Sequence, residues 1–257
     1  MGSSLVHVGP RLAVVLVLLA AVAAAGGRLS GLRQERAVGV AVVRATVQLA
    51  VVSAVLVPVV GSLALSAGFV ALMVAVATLT AAGRISGRPA RDPAVRRRLP
   101  AMALPVAGGA LPVAALVVGS GAVPLRGISV IPVAGILIGG AMTAASLAGR
   151  RMREELTSRR GELEAALSLG LPSRDAVLLV ARDSAATALV PPLDQTRTVG
   201  LVTLPGAFVG VLLGGGSPLQ AGAAQLLVLV GLLATGVVAV WIVSELVARG
   251  RLIDVPG

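Results

Sequence analysis

The amino-acid sequence predicts an all-α, polytopic membrane protein with about seven transmembrane helices. Of its 257 residues, 56% are hydrophobic and only 13% are charged, whereas soluble domains carry about 25% charged residues. The apolar residues form long uncharged blocks, and about 20 such residues in a helix cross a hydrocarbon core of about 30 Å. The blocks are continuous rather than alternating in polarity, so they are predicted to be helices rather than barrel strands.

The seven predicted spans cover residues 12–27, 38–60, 63–82, 101–119, 128–149, 199–216 and 219–247. We treat residues 1–257 as a single transmembrane domain. The first span also resembles a signal peptide, because small residues precede Gly26 and Gly27. Cleavage there would leave the arginines of 28–36 outside the cell, against the charge rule. We therefore interpret this segment as a membrane helix, and its retention stays an open question.

Arginine supplies every basic charge, and its distribution predicts the orientation of the chain. The stretches 28–36, 83–98 and 150–197 and the C-terminal tail hold nineteen of the 22 arginines, whereas only Arg11 and Arg126 lie on the opposite side. Cytoplasmic loops collect arginine. We therefore expect the N-terminus outside, the C-terminus in the cytoplasm, and a multi-pass protein in contact with the lipid of the plasma membrane.

Composition argues against several other classes of protein. The net charge of +11 would suggest nucleic acid as the partner of a soluble protein. Membrane loops account for that charge, and two Phe, one Trp and no Tyr provide no aromatic set for RNA, so no nucleic-acid partner is expected. Cys is absent and His7 is the single histidine, so we predict no catalytic residue and no metal site. The sequence has no G-x-x-x-x-G-K-[ST] motif, which predicts a transport subunit without its own ATPase site.

Residues 150–198 are predicted to form a cytoplasmic coupling segment of two helices. The first continues out of the fifth span and carries opposite charges spaced i,i+4. These pairs are Arg150 with Glu154, Arg151 with Glu155, Glu155 with Arg159, and Arg160 with Glu164. Gly170-Leu171-Pro172 breaks the helix, and a second helix begins near Ser173 and ends at Pro191-Pro192. Such an elbow suits the docking of a cytoplasmic partner; the alternative is a solvated structural hairpin.

A short motif at this elbow favours a partner. Glu164-Ala165-Ala166-x-x-x-Gly170 matches the start of the EAA-x-x-x-G signature found in membrane subunits of ATP-binding-cassette (ABC) importers. In that motif a short helix, a glycine turn and a second segment fit a groove on the ATPase. The Ile-x-Leu-Pro expected after the glycine is missing, because Val180 is followed by Ala181-Arg182.

Three further stretches share motifs with one family. They are Ile131-Pro132-Val133-Ala134-Gly135-Ile136 with Ala141-Met142, Leu167-Ser168-Leu169-Gly170 with Arg182-Asp183-Ser184, and Thr198-Val199-Gly200-Leu201-Val202-Thr203-Leu204-Pro205-Gly206 after Asp194. They resemble the IP-x-x-GM-x-x-x-AM, LSLGA…RDS and TVGLVSLPG stretches of the FetB-type permease family, the membrane subunits of ABC iron exporters, which includes plant aluminium-tolerance permeases. This chain departs from the family at Gly140, where Asn is usual, and at Ala207-Phe208, where Met-Met is usual.

The resemblance implies a permease that pairs with a separate cytoplasmic ABC ATPase. Two copies of the permease are expected to form a homodimer, and ATP and magnesium are expected on the ATPase, with no cofactor in this chain. We predict that Glu164, Ala165, Ala166, Gly170, Arg182, Asp183, Asp194 and Arg197 couple the permease to the ATPase. Arg197 and Asp194 are expected to form an ion pair where the segment re-enters the membrane, or else only to mark the interface.

A second set of residues is predicted to line the translocation pathway. The set is Arg44, Gln48, Pro132, Gly135, Gly139, Met142, Thr143, Pro205 and Gly206. Arg44 and Gln48 also fit the family pattern Arg-x-x-x-Gln-Leu, and charges inside spans tend to face a cavity or a partner. The alternatives are that Arg44 extends to the interface and that the glycines and Met142 only pack.

The predicted function is export of a metal ion such as iron, powered by a separate ATPase. No carboxylate occurs inside a predicted span before Glu245, and hard cations prefer oxygen ligands. A complexed or anionic substrate, or weak sites shared between two copies, therefore fits better than a tight, dehydrated metal site. The alternatives are a non-transporting membrane scaffold that recruits a soluble partner, and a secondary transporter.

Overall fold

A computed structural model of the chain describes residues 9–254, whose helices fall into two compact units. The first unit, Met1–Val59, contains α1 (Pro10–Leu29) and nearly all of α2 (Glu35–Val60). Gly31 and Arg33 in the turn between them have φ values of 72° and 53°, in the left-handed region. Gly27 is the one buried residue of α1. So little burial within the chain is typical of helices that face lipid or another protein.

The second unit, Val60–Gly257, is built around four long helices. These are α3 (Leu63–Ser86), α4 (Pro93–Gly119), α5 (Gly127–Ser158) and α10 (Pro218–Ala248). The central helix, α5, packs against the other three. Five shorter helical pieces lie between α5 and α10: α6 (Arg160–Ser168), α7 (Ser173–Ala186), a 3₁₀ turn (Thr187–Leu189), α8 (Val190–Thr198) and α9 (Gly206–Leu213).

Side-chain caps fix where the long helices begin. The Ser62 hydroxyl accepts from the amide of Leu65 before α3, and the Asp92 carboxylate accepts from the amide of Ala94 before α4. Before α10, Ser217 and Gln220 form a reciprocal capping box. Each cap satisfies an amide that the first turn leaves without a helical partner. The local sequence therefore sets the ends of the bundle helices independently of their packing.

Alanine supplies nearly half of the buried hydrophobic core of the bundle, and glycines lie at some of its closest helix contacts. Gly149 of α5 lies directly against the fully buried Ile85 of α3, where an added Cβ would be 2.8 Å from Cγ1 of Ile85. Gly109 of α4 lies against the backbone of α10, where an added Cβ would be 3.0 Å from the carbonyl oxygen of Thr235. Small residues allow membrane helices to approach closely and gain dispersion contacts. These glycines therefore serve packing.

The predicted fold class is confirmed. Six of the seven predicted spans lie within α1, α2, α3, α4, α5 and α10, and the described residues form no strand. Within residues 9–254, seven helical stretches are long and apolar enough to cross a membrane. The chain is therefore an all-α, multi-pass membrane protein. The side on which each terminus lies stays a prediction.

The predicted sixth span, residues 199–216, is wrong as a single helix. Residues 199–205 form a turn, and α9 has only eight residues. Eight helical residues rise about 12 Å, which is far less than a hydrocarbon core of about 30 Å. Gly200 has a φ of 85°, and the ring of Pro205 fixes its own φ and removes a backbone donor, so these residues interrupt the helix. The sixth long apolar stretch is instead Ser173–Thr198.

Three contacts trace the path of the chain along α10. Arg174 at the start of α7 pairs with Glu245 near the end of α10. Leu189 contacts Gly236, and the amide of Phe208 donates to the side-chain oxygen of Gln225 over 3.3 Å. Residues 174–208 thus follow α10 from Glu245 to Gln225, about 30 Å at 1.5 Å per residue. The C-terminal part of the predicted cytoplasmic segment therefore lies along the bundle rather than outside it.

Candidate functional site

The arginine-rich loops of the second unit meet at one end of the bundle. Arg98, in the first turns of α4, donates to Asp254 and, over 3.3 Å, to the carbonyl oxygen of Leu252. Arg153 of α5 donates to the carbonyl oxygen of Ile85 of α3 over 3.0 Å. We call the C-terminal ends of α3, α5 and α10 together with the start of α4 the arginine-rich end. Its helices are held together by charged side chains bound to carbonyl and carboxylate oxygens.

The elbow between α6 and α7 lies at this end and has an exposed outer face. Leu163 and Ala166 of α6 are buried in the core, whereas Glu164 and Ala165 are exposed. Ala166, predicted to couple to the ATPase, therefore faces the bundle. Leu169 is 81% exposed at the tip.

Gly170 shapes the elbow through its backbone. Its φ of 83° lies in the left-handed region, and a Cβ at this position would meet no atom within 4 Å. Glycine is favoured here because of the backbone conformation rather than because of lack of space. The predicted break at Gly170-Leu171-Pro172 is confirmed, because α6 ends at Ser168 and α7 begins at Ser173.

Arg159 joins three helices at the elbow. It lies between α5 and α6 and donates to Glu155 of α5 over 3.3 Å, to Glu162 of α6, and to the carbonyl oxygen of Val180 of α7 over 3.2 Å. Because Arg159 donates to Glu162, the pKa of the guanidinium lies above its ordinary value and the pKa of the Glu162 carboxyl lies below its ordinary value. Both groups therefore stay charged at neutral pH.

The four i,i+4 pairs predicted along this segment are only partly formed. Arg150 lies 3.8 Å from Glu154, and Arg160 lies 2.7 Å from Glu164. Glu155 pairs with Arg159 and accepts from the Ser184 hydroxyl over 3.1 Å, but it forms no ion pair with Arg151. Glu155 therefore binds Ser184 of α7 and Arg159, and it does not pair with Arg151 on the exposed face of α5.

Helix α7 is anchored to both of its neighbours. At its start, Arg174 pairs with Glu245, which also pairs with Arg249, and in its last turns Ser184 binds Glu155. Arg182 and Asp183, both predicted to couple to the ATPase, are exposed and form no ion pair with any residue in the described range. They therefore project away from the bundle on the outer face of α7.

The predicted ion pair between Arg197 and Asp194 is present in α8. Arg197 Nη1 lies 3.5 Å from Asp194 Oδ1, with the two side chains 72% and 60% exposed. The pair follows Leu189, which already contacts Gly236 of α10, and precedes Phe208, which contacts Gln225. The structure therefore places it beside the middle of α10 and away from the elbow. Its role in coupling stays a prediction.

The predicted pathway residues of α5 separate into two groups. Gly135 lies against Met73 of α3, and the partly buried Met142 packs against the core; their role in a pathway stays a prediction. Gly139 has no atom within 4 Å of the Cβ position, and the exposed Thr143 donates to its carbonyl oxygen over 2.9 Å. Pro132 is exposed toward the other end of α5.

Thr143 lines a groove of about 290 Å³ that opens at the arginine-rich end. Its other lining residues are Ser146, Leu147 and two arginines, Arg84 of α3 and Arg150 of α5. Arg84 forms no ion pair with a described residue. The groove thus combines hydroxyl groups with two guanidinium groups, and this chemistry favours water and anionic or complexed solutes over bare cations.

The other predicted pathway residues do not line this groove. Pro205 precedes α9, whose first residue, Gly206, is exposed. Arg44 and Gln48 lie one turn apart on exposed positions of α2 in the first unit. Within residues 9–254, no group of three or more His, Cys, Asp or Glu side chains could hold a metal ion.

Sequence reasoning missed three features of the elbow. Arg159 was expected only in a pair with Glu155, because the carbonyl of Val180 lies 21 positions away in the chain. The pair between Arg174 and Glu245 is 71 positions apart and has no local signal. The exposure of Leu169 could have been predicted from the sequence. A leucine directly before a glycine turn between two charged helices has few apolar residues nearby to pack against.

The fold and this site define a multi-pass helical membrane protein with an elbow anchored at its charged end. The chain belongs to the family described as "Uncharacterised protein family (UPF0014)", which matches residues 10–251. This confirms the resemblance on which the sequence analysis relied.

Several curated relatives are similar over part of the chain. "UPF0014 membrane protein STAR2" of Oryza sativa subsp. japonica is 43% identical over 39% of this chain and 35% of the relative. "Protein ALUMINUM SENSITIVE 3" of Arabidopsis thaliana is 39% identical over 39% of this chain and 37% of the relative. "Probable iron export permease protein FetB" of Escherichia coli (strain K12) is 37% identical over 42% of each. The chain thus matches less than half of the length of these relatives. No solved structure matches it.

Proposed function

We propose that this protein is the membrane permease subunit of an ABC transporter and is powered by a separate ATPase that binds ATP and magnesium. Two copies would form the transporter in the plasma membrane, with the arginine-rich end in the cytoplasm. The observation that carries the proposal is the elbow of α6 and α7, whose exposed tip at Leu169 and Gly170 is anchored to the bundle. A scaffold or a secondary transporter needs no such rigid link.

The anchoring explains how movement of an ATPase would reach the membrane. A force applied at the tip passes through Arg159 to α5 and through Arg174 to Glu245 of α10. Both helices are long and continuous, so they transmit displacement over the thickness of the bilayer. Nucleotide binding can shift the equilibrium only if the ATPase binds the two states of the elbow with different affinity.

For the substrate, we propose export of metal ions such as iron, which is the activity named for the Escherichia coli relative. The groove beside Thr143 contains hydroxyl and guanidinium groups. Such groups suit a metal that travels as an anionic or otherwise complexed species rather than as a bare cation. Iron retention in cells that lack the chain, measured with a radioactive isotope, tests this part of the proposal.

Co-purification with a partner ATPase tests the proposed function directly. The tagged chain is co-expressed with each ABC ATPase subunit of the source genome that lacks a membrane domain of its own. We expect one of them to co-purify, and we expect Leu169→Glu to abolish its binding while membrane insertion is unchanged. Arg151→Glu is the control, because Arg151 is exposed on the same end but lies off the elbow. Binding without ATP-driven transport would favour a scaffold, and transport without any ATPase would favour a secondary transporter.

The orientation of the chain in the membrane can be tested by labelling a single introduced cysteine, because the natural chain has no Cys. Ser158 is exposed at the end of α5. Ser158→Cys is expected to react with a membrane-impermeant thiol reagent in inverted vesicles and not in intact cells. Labelling from outside intact cells would place the elbow on the wrong side for a cytoplasmic ATPase.

A further inference from the structure

The interrupted segment, residues 190–205, contains α8 and the turn before α9 and carries polar groups at the depth of the bilayer centre. Its depth follows from α10, whose residues 218–244 carry no charge. About 20 helical residues cross the hydrocarbon core, and every stretch of that length inside 218–244 includes residues 225–236. Leu189 contacts Gly236 and Phe208 contacts Gln225. The interrupted segment between them therefore lies within the hydrocarbon layer.

Side chains of this segment are unsuited to contact with lipid. Asp194 and Arg197 are 60% and 72% exposed, and Gln195 and Thr198 are exposed beside them. A charged side chain near the bilayer centre is costly when it faces lipid. Such residues usually face a water-filled cavity or the interior of a protein.

The backbone gives an independent indication. In the turn, Gly200 donates to the carbonyl oxygen of Thr203 over 2.9 Å and Val202 donates to that of Thr198 over 3.0 Å. The amides of Leu201 and Leu204 donate to no acceptor in the described part of the chain. Non-helical backbone at membrane depth is tolerated where protein buries it or where it lines water. Leu201 is 95% exposed, so this chain does not bury it.

We propose that residues 190–205 form the wall of a water-filled pathway through the membrane, with Asp194 and Arg197 as the charged groups that a hydrated solute meets at mid-depth. The proposal deepens the permease function and rests on it for the identity of the solute. Water rather than a dry contact with a second copy covers this wall. A 3.5 Å pair with both partners widely exposed has the loose geometry of solvated ions, whereas charges in a dry interface need complete pairing.

Cysteine accessibility tests the proposal in membranes. Leu201→Cys and Thr203→Cys are treated with trimethylammonium-ethyl methanethiosulfonate, which is charged and reacts with thiolates. Val230→Cys and Leu226→Cys are the matched controls, because both residues are exposed on the unbroken helix α10 within 225–236. A thiol in lipid stays protonated and is inert. We expect the turn positions to react at least about tenfold faster than the controls, because the thiolate forms in water.

Two outcomes would overturn the proposal. One is that both turn variants react no faster than the α10 controls although each protein is monodisperse after solubilisation. The other is that only an uncharged, lipid-soluble maleimide reaches the turn, which would place it in lipid or in a dry interface. If no ATPase co-purifies but the turn is labelled fast, the ABC transporter assignment is overturned and the pathway proposal stands. If the ATPase complex forms but the turn is labelled slowly, the pathway proposal is overturned and the ABC transporter assignment stands.

Discussion

Arg159 Nη1 lies 3.2 Å from the carbonyl oxygen of Val180, although the two residues belong to different parts of the elbow. The same guanidinium binds Glu155 at the end of α5 and Glu162 in the first turn of α6. One side chain thus fixes the angle between α5, α6 and α7. If the elbow transmits force from an ATPase, Arg159 carries part of that force to α5, together with the bond between Ser184 and Glu155.

Replacing Arg159 by lysine should uncouple the elbow while keeping the charge. Lysine lacks the planar fork that reaches several acceptors at once, so we expect ATP-dependent transport to fall at least about fivefold. Membrane insertion and ATPase binding should persist, because the tip itself is unchanged. Arg151→Lys is the matched control, since Arg151 forms no ion pair with a described residue. Equal transport by Arg159→Lys and the unmodified protein would show that the clamp does not carry coupling.

The link between Arg159 and Glu162 should weaken in acid. The pKa of Glu162 is lowered from its ordinary value of 4.5 in the folded protein. The group therefore contributes stability that is present above this ordinary value and is lost as the pH falls through the lowered pKa. We expect hydrogen exchange of the α6 amides, corrected for intrinsic rates, to accelerate as the pH drops below about 4.5. Glu162→Gln should remove this dependence, and an identical pH profile in that variant would contradict the assignment.

Gly170 should tolerate asparagine better than valine. Both substitutions meet open space, because no atom lies within 4 Å of the Cβ position. The φ of 83° costs an ordinary L-residue about 1–2 kcal/mol, and asparagine adopts this region more readily than a β-branched residue. We expect Gly170→Val to reduce ATPase binding and Gly170→Asn to retain most of it. Equal loss in both variants would mean that the ATPase contacts the glycine itself.

The sequence predicted most of the fold because each long helix has a local signal. Uncharged blocks identified α1 to α5 and α10, and Ser62, Asp92 and Ser217 stand at helix starts. The sixth crossing was misplaced because the apolar run around Val199–Pro205 has the composition of a span. Gly200 and Pro205 nevertheless break the helix there. The contacts that anchor the elbow join distant positions, and no local pattern encodes such pairs.

Gly149 and Gly139 of α5 should respond oppositely to alanine. A Cβ at Gly149 would lie 2.8 Å from Cγ1 and 2.9 Å from Cγ2 of Ile85, which is fully buried. We expect Gly149→Ala to lower stability by about 1–3 kcal/mol, the usual cost of overpacking. Gly139→Ala meets no atom and should be neutral or stabilising by about 0.5–1 kcal/mol. Thermal aggregation of the solubilised proteins measures both.

The same pair of variants tests the predicted pathway. Because Gly139→Ala is expected to fold normally, a transport defect in it would come from the space beside Thr143 rather than from instability. Unchanged transport would show that the open face of Gly139 is not part of the route. A stable Gly149→Ala protein would contradict the close contact between α3 and α5.

Transport should depend on the presence of both a negative and a positive charge in the Asp194–Arg197 pair of α8. Removing one partner leaves a single uncompensated charge on the wall of the pathway, which changes the electrostatic potential that a hydrated solute meets there. We expect Asp194→Ala and Arg197→Ala each to reduce transport at least about threefold, although an exposed pair contributes only about 0–1 kcal/mol to folding. The double variant Asp194→Arg with Arg197→Asp should recover part of the activity, because both charges stay at the same wall.

ATPase binding separates the two roles open to this pair. If Asp194 and Arg197 line the pathway, both alanine variants should bind the ATPase normally and lose transport, since the pair lies beside the middle of α10 and away from Leu169. If they couple to the ATPase, binding or stimulated ATP hydrolysis should fall together with transport. Normal transport by both single variants would leave the pair without either role. Coupling would then rest on the elbow and its Arg159 clamp alone.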